Sequence, residues 1–136
     1  MNAPSYDIAE ILEAYGESSG LGLDYATDLF IGKEPDKPNN CVTIFDTPGF
    51  PPYLSVGEET GYEYPSVQIR VRNIKYTDGW AQTEAIKNVL HGLNHETVNG
   101  TLYTVIICSS GPALLDWDDN GRVRFIVNFN LQRVVA

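Results

Sequence analysis

Apolar and polar side chains alternate with a two-residue period through Tyr64-Pro-Ser-Val-Gln-Ile-Arg-Val-Arg72. Val67, Ile69 and Val71 face one way and Gln68, Arg70 and Arg72 the other, which is the pattern of a half-buried strand. Pro65 has no N–H for a ladder and sits at the start of the run, where it does least harm. The alternation returns at residues 122–134, where Val123, Phe125, Val127, Phe129 and Leu131 share one face. Arg124, Asn128, Asn130 and Gln132 take the other, with Ile126 the exception. Shorter strands are predicted at residues 27–32, 41–46 and 102–108. The last is apolar on both faces around Val105-Ile-Ile-Cys108 and so predicts a central position.

A different period marks two helices. Ile8, Ile11, Leu12 and Tyr15 recur at i, i+3, i+4 and i+7 over residues 5–15, with Ser5 as the cap, Asp7 in the first turn and Gly16 as the stop. Ile86, Val89, Leu90 and Leu93 form the stripe of a second helix over residues 78–91. Asp78 or Thr77 is its cap, and Gly92 stands at the left-handed position beyond its end. The order of elements predicts one α+β domain spanning residues 1–136. Its mixed or antiparallel sheet would have four to five strands, with two α-helices packed on one face. The opposite face would carry arginines, amides and hydroxyls.

Residues 47–63 fit neither period. Three prolines and three glycines alternate there with Phe50, Tyr53, Leu54 and Tyr62. A loop of this length is usually functional or disordered, and those side chains suit a solvated linker poorly. Two readings stand: an arm or extended hairpin that orders against a partner, or a loop folded back over its own domain.

Composition narrows the class. A chain of 136 residues with 43% hydrophobic content holds one real core and is not wholly disordered. Its net charge of −9 disfavours nucleic-acid binding, which needs clustered Lys and Arg. No signal peptide opens the chain, and the longest apolar run is far short of a membrane span. Cys41 and Cys108 both lie in strand-like runs, which predicts free, buried thiols in a reducing cytoplasm.

Candidate chemistry is weak throughout. Asp116-Trp-Asp118-Asp119-Asn120-Gly121 opens like a calcium loop, but position nine would be Arg124 and position twelve Val127. Asp-Asn-Gly before an alternating strand instead predicts a tight hairpin. His91 and His95 have i, i+4 spacing, yet Gly92 ends the helix between them and no third metal ligand is evident. Cys108-Ser-Ser-Gly111 lacks the flanks of a nucleophile elbow. Gly20-Leu-Gly22 is not a phosphate loop, and nothing separates the acidities of Glu58 and Glu59. The expectation is a protein that is not an enzyme and uses no cofactor or metal.

Taken together, Leu29-Phe-Ile-Gly-Lys-Glu-Pro-Asp36, Asp46-Thr-Pro-Gly49, the strand from Tyr64 to Arg72, Leu90-His-Gly-Leu93 and Asp118-Asp-Asn-Gly-Arg122 resemble minor capsid proteins of long-tailed bacteriophages, those read as tail terminators or tail-completion proteins. The resemblance runs from about Ile8 to Val134. It implies a structural virion subunit that forms a ring with itself, six copies being the expected number. The ring would cap the tail tube, stop its growth and present the docking surface for the head.

The implied partners are the tail-tube protein and a head-completion or connector protein, with no membrane and no sequence-specific nucleic acid. The genome would pass through the ring, and the acidic charge and polar sheet face suit that passage. The implied location is the head-proximal end of the tail, after assembly in the bacterial host cytoplasm. On this reading Phe50, Tyr53, Leu54 and Tyr62 are contacts made by the arm. Arg70, Arg72 and Arg124 are candidates for salt bridges between subunits, to acids such as Glu58 or Glu59, or else a solvated sheet face. The alternatives are a head-tail connector, neck or tail-tube protein, or a small cytoplasmic binding domain.

Overall fold

The structure is a computed structural model that describes residues 1–19, 21–53 and 61–135. Among these residues the chain forms α1 (Pro4–Ser19), β1 (Leu29–Ile31), β2 (Cys41–Tyr53), β3 (Gly61–Asn73), α2 (Tyr76–Leu90), β4 (Asn94–Val98), β5 (Thr101–Trp117) and β6 (Val123–Val135). The strands make one six-stranded sheet in the order β1-β2-β3-β6-β5-β4. Only β1 and β2 run parallel; the other neighbours are antiparallel. Both helices pack on one face, as the alternation required. Val42, Ile44, Val67, Ile69, Val71, Phe125, Val127 and Phe129 meet Ile8, Leu12, Ile86 and Leu90 in a single core, and all of them are fully buried.

The sheet has more strands than the four to five expected. The added one, β4, reads Asn-His-Glu-Thr-Val. It carries no apolar alternation and is held by backbone pairing to β5. β5 itself is not central. Its apolar face away from the helices leaves Ile107 45% exposed, so apolar character on both faces here marks a surface patch and not double burial.

The described residues of the segment 47–63 are strand. β2 and β3 stay paired past Thr47 through Phe50↔Tyr64 and Tyr53↔Tyr62, with register shifts on either side of Phe50. Pro48, Pro51 and Pro52 are tolerated because β1 pairs only with residues 42–44, which leaves this stretch of β2 at the sheet edge. Residues 54–60, including Leu54, Glu58 and Glu59, lie outside the described residues.

Helix ends also differ from expectation. α1 starts at Pro4, whose fixed φ suits a first helical position. Ser5 is not the cap. Its backbone N–H and its hydroxyl both donate to the Asp46 carboxylate on β2, at 2.9 and 2.7 Å, so the cap comes from another element. α1 continues through Gly16 to Ser19; the chain returns against Gly16, whose carbonyl accepts the Gly22 N–H at 3.3 Å. α2 starts two residues early, with Lys75 at the cap position and no side chain capping it, so neither Thr77 nor Asp78 has that role. Gly92 does take the left-handed conformation, with φ +88. His91 stays exposed at the helix end, and its Nδ1 accepts the Cys108 backbone N–H at 2.9 Å. Cys41 is buried as expected, whereas Cys108 is half-buried, and both are free thiols.

Asp7 is fully buried and accepts hydrogen bonds from the Tyr103 hydroxyl and, at 3.0 Å, from Asn99 Nδ2. Burial, and then the bond to Asp7, push the Tyr103 phenol far above its ordinary 10.0. The folded state thus favours the neutral phenol. That stabilisation is complete below pH 10.0 and is lost as pH rises beyond it toward the folded value. The expected outcome is a stability that falls steeply above pH 10.0 and a shallower fall in Tyr103→Phe. At neutral pH that variant is about 1.5–3 kcal/mol weaker, because Asp7 loses a charge-assisted bond. Thermal midpoints across pH check both limbs.

Candidate functional site

Away from the helices, the sheet presents a face that divides into three zones. At the end where β2 begins, residues 33–40 cross over the sheet as a strap. Arg72 holds this strap with its whole guanidinium: Nε donates to Asn39 O at 3.1 Å, Nη1 to Glu34 Oε1 at 3.0 Å, and Nη2 to Asp36 O and Pro38 O at 3.2 and 2.7 Å. Arg124 Nε reaches the same Glu34 oxygen at 2.9 Å, and its Nη1 pairs with Asp116. Arg122 bonds Asp36 through Nη2 at 3.2 Å and Asp118 through Nε at 2.6 Å.

Arg72 is 2% exposed. Sequence alternation placed it on a polar face and offered it to a neighbour. The structure commits it, with Arg124, to acids of its own chain, because the strap turns that part of the polar face into an interior. Burial opposes ionisation of Asp118, but the backbone and guanidinium of Arg122 outweigh it and hold the carboxyl below its usual value. Asp118 Oδ1 also accepts the Asn120 and Arg122 backbone N–H groups at 3.0 and 2.9 Å, so the Asp118–Arg122 turn is the β5–β6 hairpin.

The middle zone is a ladder of amides and hydroxyls. Ser66 donates to Asn130 at 2.7 Å, Gln68 to Asn128 at 3.2 Å, and Asn128 to Ser110 at 2.8 Å. Arg70 lies over the Phe45 ring at 4.8 Å from its centroid and donates to Gln68 Oε1. Of the three predicted arginines, Arg70 is the one with no carboxylate partner among the described residues.

The third zone lies at the hairpin end. Phe50, Tyr64, Val105 and Ile107 line a shallow hollow of about 160 Å³. Tyr62 sits two residues along β3 on the same face, and its register partner on β2 is Tyr53. Phe50 is 67% and Tyr62 43% exposed. The structure therefore brings Phe50 and Tyr62 together, adds Val105 and Ile107 to them, and separates them from all three arginines.

A second apolar cluster, on the helix face at the opposite end, was not anticipated. Tyr76 and Trp80, one turn apart on α2, straddle buried Phe125, with ring centroids at 4.9 and 5.7 Å and steep edge-on angles. Trp117 of β5 stacks on Tyr76 at 6.3 Å and 26°. Gly79 permits this approach, since a Cβ there would lie 2.9 Å from the Phe125 ring. Beside these rings, Leu114 is 48% and Trp117 52% exposed. The only sequence signal was a pair of bulky aromatics off the buried stripe of α2.

Enzyme-like features are weak among the described residues. A cleft of about 390 Å³ is bordered by Asp28, Asn40, Cys41, Asn73, Asp78 and Gln82. Burial pushes the Cys41 thiol up, which suppresses the thiolate a nucleophile needs. No group of three or more His, Cys, Asp or Glu among the described residues is placed to hold a metal ion. None of their helices is long and apolar enough to cross a membrane.

The fold has a solved counterpart in a chain from the "Virion of native gene transfer agent (GTA) particle". The two superpose with a TM-score of 0.68 at 11% identity, covering 98% of this chain and 96% of that one. Comparison with curated proteins gives no match. The sequence matches the family described as "Bacteriophage tail terminator protein" over residues 18–135, which takes in every strand, α2 and the strap. The chain belongs to the bacteriophage tail terminator protein family, and is a structural protein of the phage tail.

Proposed function

We propose that the protein assembles with itself into a ring, six copies being the expected number, that caps the tail tube, arrests its growth and offers the docking surface for the head. The observation that carries this reading is the family match over residues 18–135. Its partners are then further copies of the chain, the tail-tube protein and a head-completion or connector protein. Its place is the head-proximal end of the tail, reached after assembly in the host cytoplasm.

Surface chemistry agrees with the reading. The amides and hydroxyls of the ladder bond to one another, and the chain carries −9 overall. Such a face bordering a channel attracts phosphates weakly and lets DNA pass. Phe50 and Tyr62 at the base of the hairpin are suited to contacts outside the subunit, since exposed aromatic clusters mark interaction sites.

Tube length is the decisive measurement. The cognate tail-tube protein, polymerised with and without this protein and imaged by negative-stain electron microscopy, is expected to give shorter tubes with an extra disc at one end. Unchanged tubes with bare ends favour a connector or neck role. Continuous incorporation along the tube favours a tube subunit.

A further inference from the structure

Of the twelve exposed large apolar side chains among the described residues, seven fall into two clusters, and Tyr6 with Tyr25 forms a smaller pair elsewhere. Phe50, Tyr62 and Ile107 gather on the face away from the helices, at the hairpin end. Tyr76, Trp80, Leu114 and Trp117 gather on the helix face, at the end of the β5–β6 turn. The two clusters lie on opposite faces and opposite ends of one sheet, so a single neighbour related by a two-fold axis does not cover both. A head-to-tail neighbour covers each cluster with the other, and repetition of that contact gives a ring when its rotation closes.

Area and charge favour a second copy as the occupant. The exposed fractions of the named side chains correspond to roughly 300 Å² in the first cluster and roughly 400 Å² in the second, the size of apolar patches that mark interaction sites. Among the described residues, none of the side chains named in the two clusters is charged, although the chain carries 18 acidic residues against 9 basic. Two copies at −9 repel each other over most of their surface, and contact through uncharged side chains is where that repulsion is least. Strand addition along β5 is disfavoured: residues 109–117 lack a strand on their free edge among the described residues, yet carry register shifts and Pro112. The contact is therefore made by side chains.

The geometry points to the hairpin base of one copy, through Phe50 and Tyr62, docking on the Tyr76–Trp80–Trp117 cluster of the next, as the repeating seam of the ring. This rests on the ring reading and goes beyond it by naming both halves of the seam. Two variants break one half each: Phe50→Ser with Tyr62→Ser, and Trp80→Ser with Trp117→Ser. Leu114→Arg is a third, adding a charge at an exposed position without opening the core.

Ring formation is read by native mass spectrometry and by end discs on tubes, with circular dichroism to verify folding. Each variant alone is expected to lower ring occupancy at least about tenfold. An equimolar mixture of the two double variants is expected to give a heterodimer joined by the one intact seam, and no ring. If the wild type forms no ring, alone or on tubes, the ring reading falls and this seam with it. If the wild type forms rings and the folded variants do so equally, the seam alone is overturned. Variants that form rings but fail to bind tubes assign the clusters to the tube protein and likewise overturn the seam.

Discussion

Arg72→Ala is expected to destabilise the protein by about 3–5 kcal/mol, lowering the thermal midpoint by roughly 10–20 °C. The size follows from what is left behind. Arg72 is 2% exposed and its guanidinium bonds Glu34 and the carbonyls of Asp36, Pro38 and Asn39. Truncation strands the Pro38 and Asn39 carbonyls, leaves Asp36 O to Arg122 and leaves the Glu34 carboxylate to Arg124 alone, in a site where Glu34 Oε2 already has no hydrogen-bond partner. Unpaired buried acceptors cost far more than the net worth of the bonds they lose.

Glu34→Gln is expected to cost less, because Arg124 retains Asp116 and the carbonyls retain Arg72. Combining Arg72→Ala with Glu34→Gln is expected to cost less than the sum of the single changes, since the double variant removes both charges of the pair. Chemical denaturation of the four proteins checks the cycle. Thiol reactivity reports the same event locally. Cys41, 2% exposed on the row that ends under the strap, becomes reactive in Arg72→Ala, whereas Cys108 is half-exposed in either protein.

Gly49→Ala is the second large effect expected, roughly 2–4 kcal/mol. A Cβ there would lie 1.9 Å from Tyr64 O and 2.9 Å from Pro65 C and Cα. These are backbone atoms of β3, so no rotamer change relieves the clash and β2 must part from β3 beyond Thr47. Gly32→Ala separates this cause from conformational strain: Gly32 has φ +76 but nothing within 4 Å, so about 1–2 kcal/mol is expected there. Hydrogen exchange is expected to show early loss of protection at Phe50 and Tyr62 in Gly49→Ala, with the core strands unchanged. On the proposed capping role, tubes are expected to stay uncapped with that variant and to be capped with Gly32→Ala.

Much of the architecture was legible because burial writes itself into periodicity. The alternations around Val67 and Phe125 named the faces of β3 and β6, and the Ile8 and Ile86 stripes named the helices and their shared side of the sheet. Asp-Asn-Gly named the β5–β6 hairpin through turn chemistry alone. Elements held by backbone pairing without a buried face, β4 and the far half of β2, left no such trace. Of the candidate surface residues, Phe50 and Tyr62 were readable as aromatics in a segment without a period, and the structure leaves both exposed.

By itself, the sequence determined the fold class, the core and the presence of an aromatic segment with no obvious place inside. Only the tertiary structure decided which polar side chains are surface. A residue's face on a strand is local, but what covers that face is a matter of distant segments. The strap at residues 33–40 turned Arg72 from a candidate contact into a buried clamp. Trp117 stands far from Tyr76 and Trp80 in the chain, and the three became one exposed cluster only when α2 settled on β6 at Gly79.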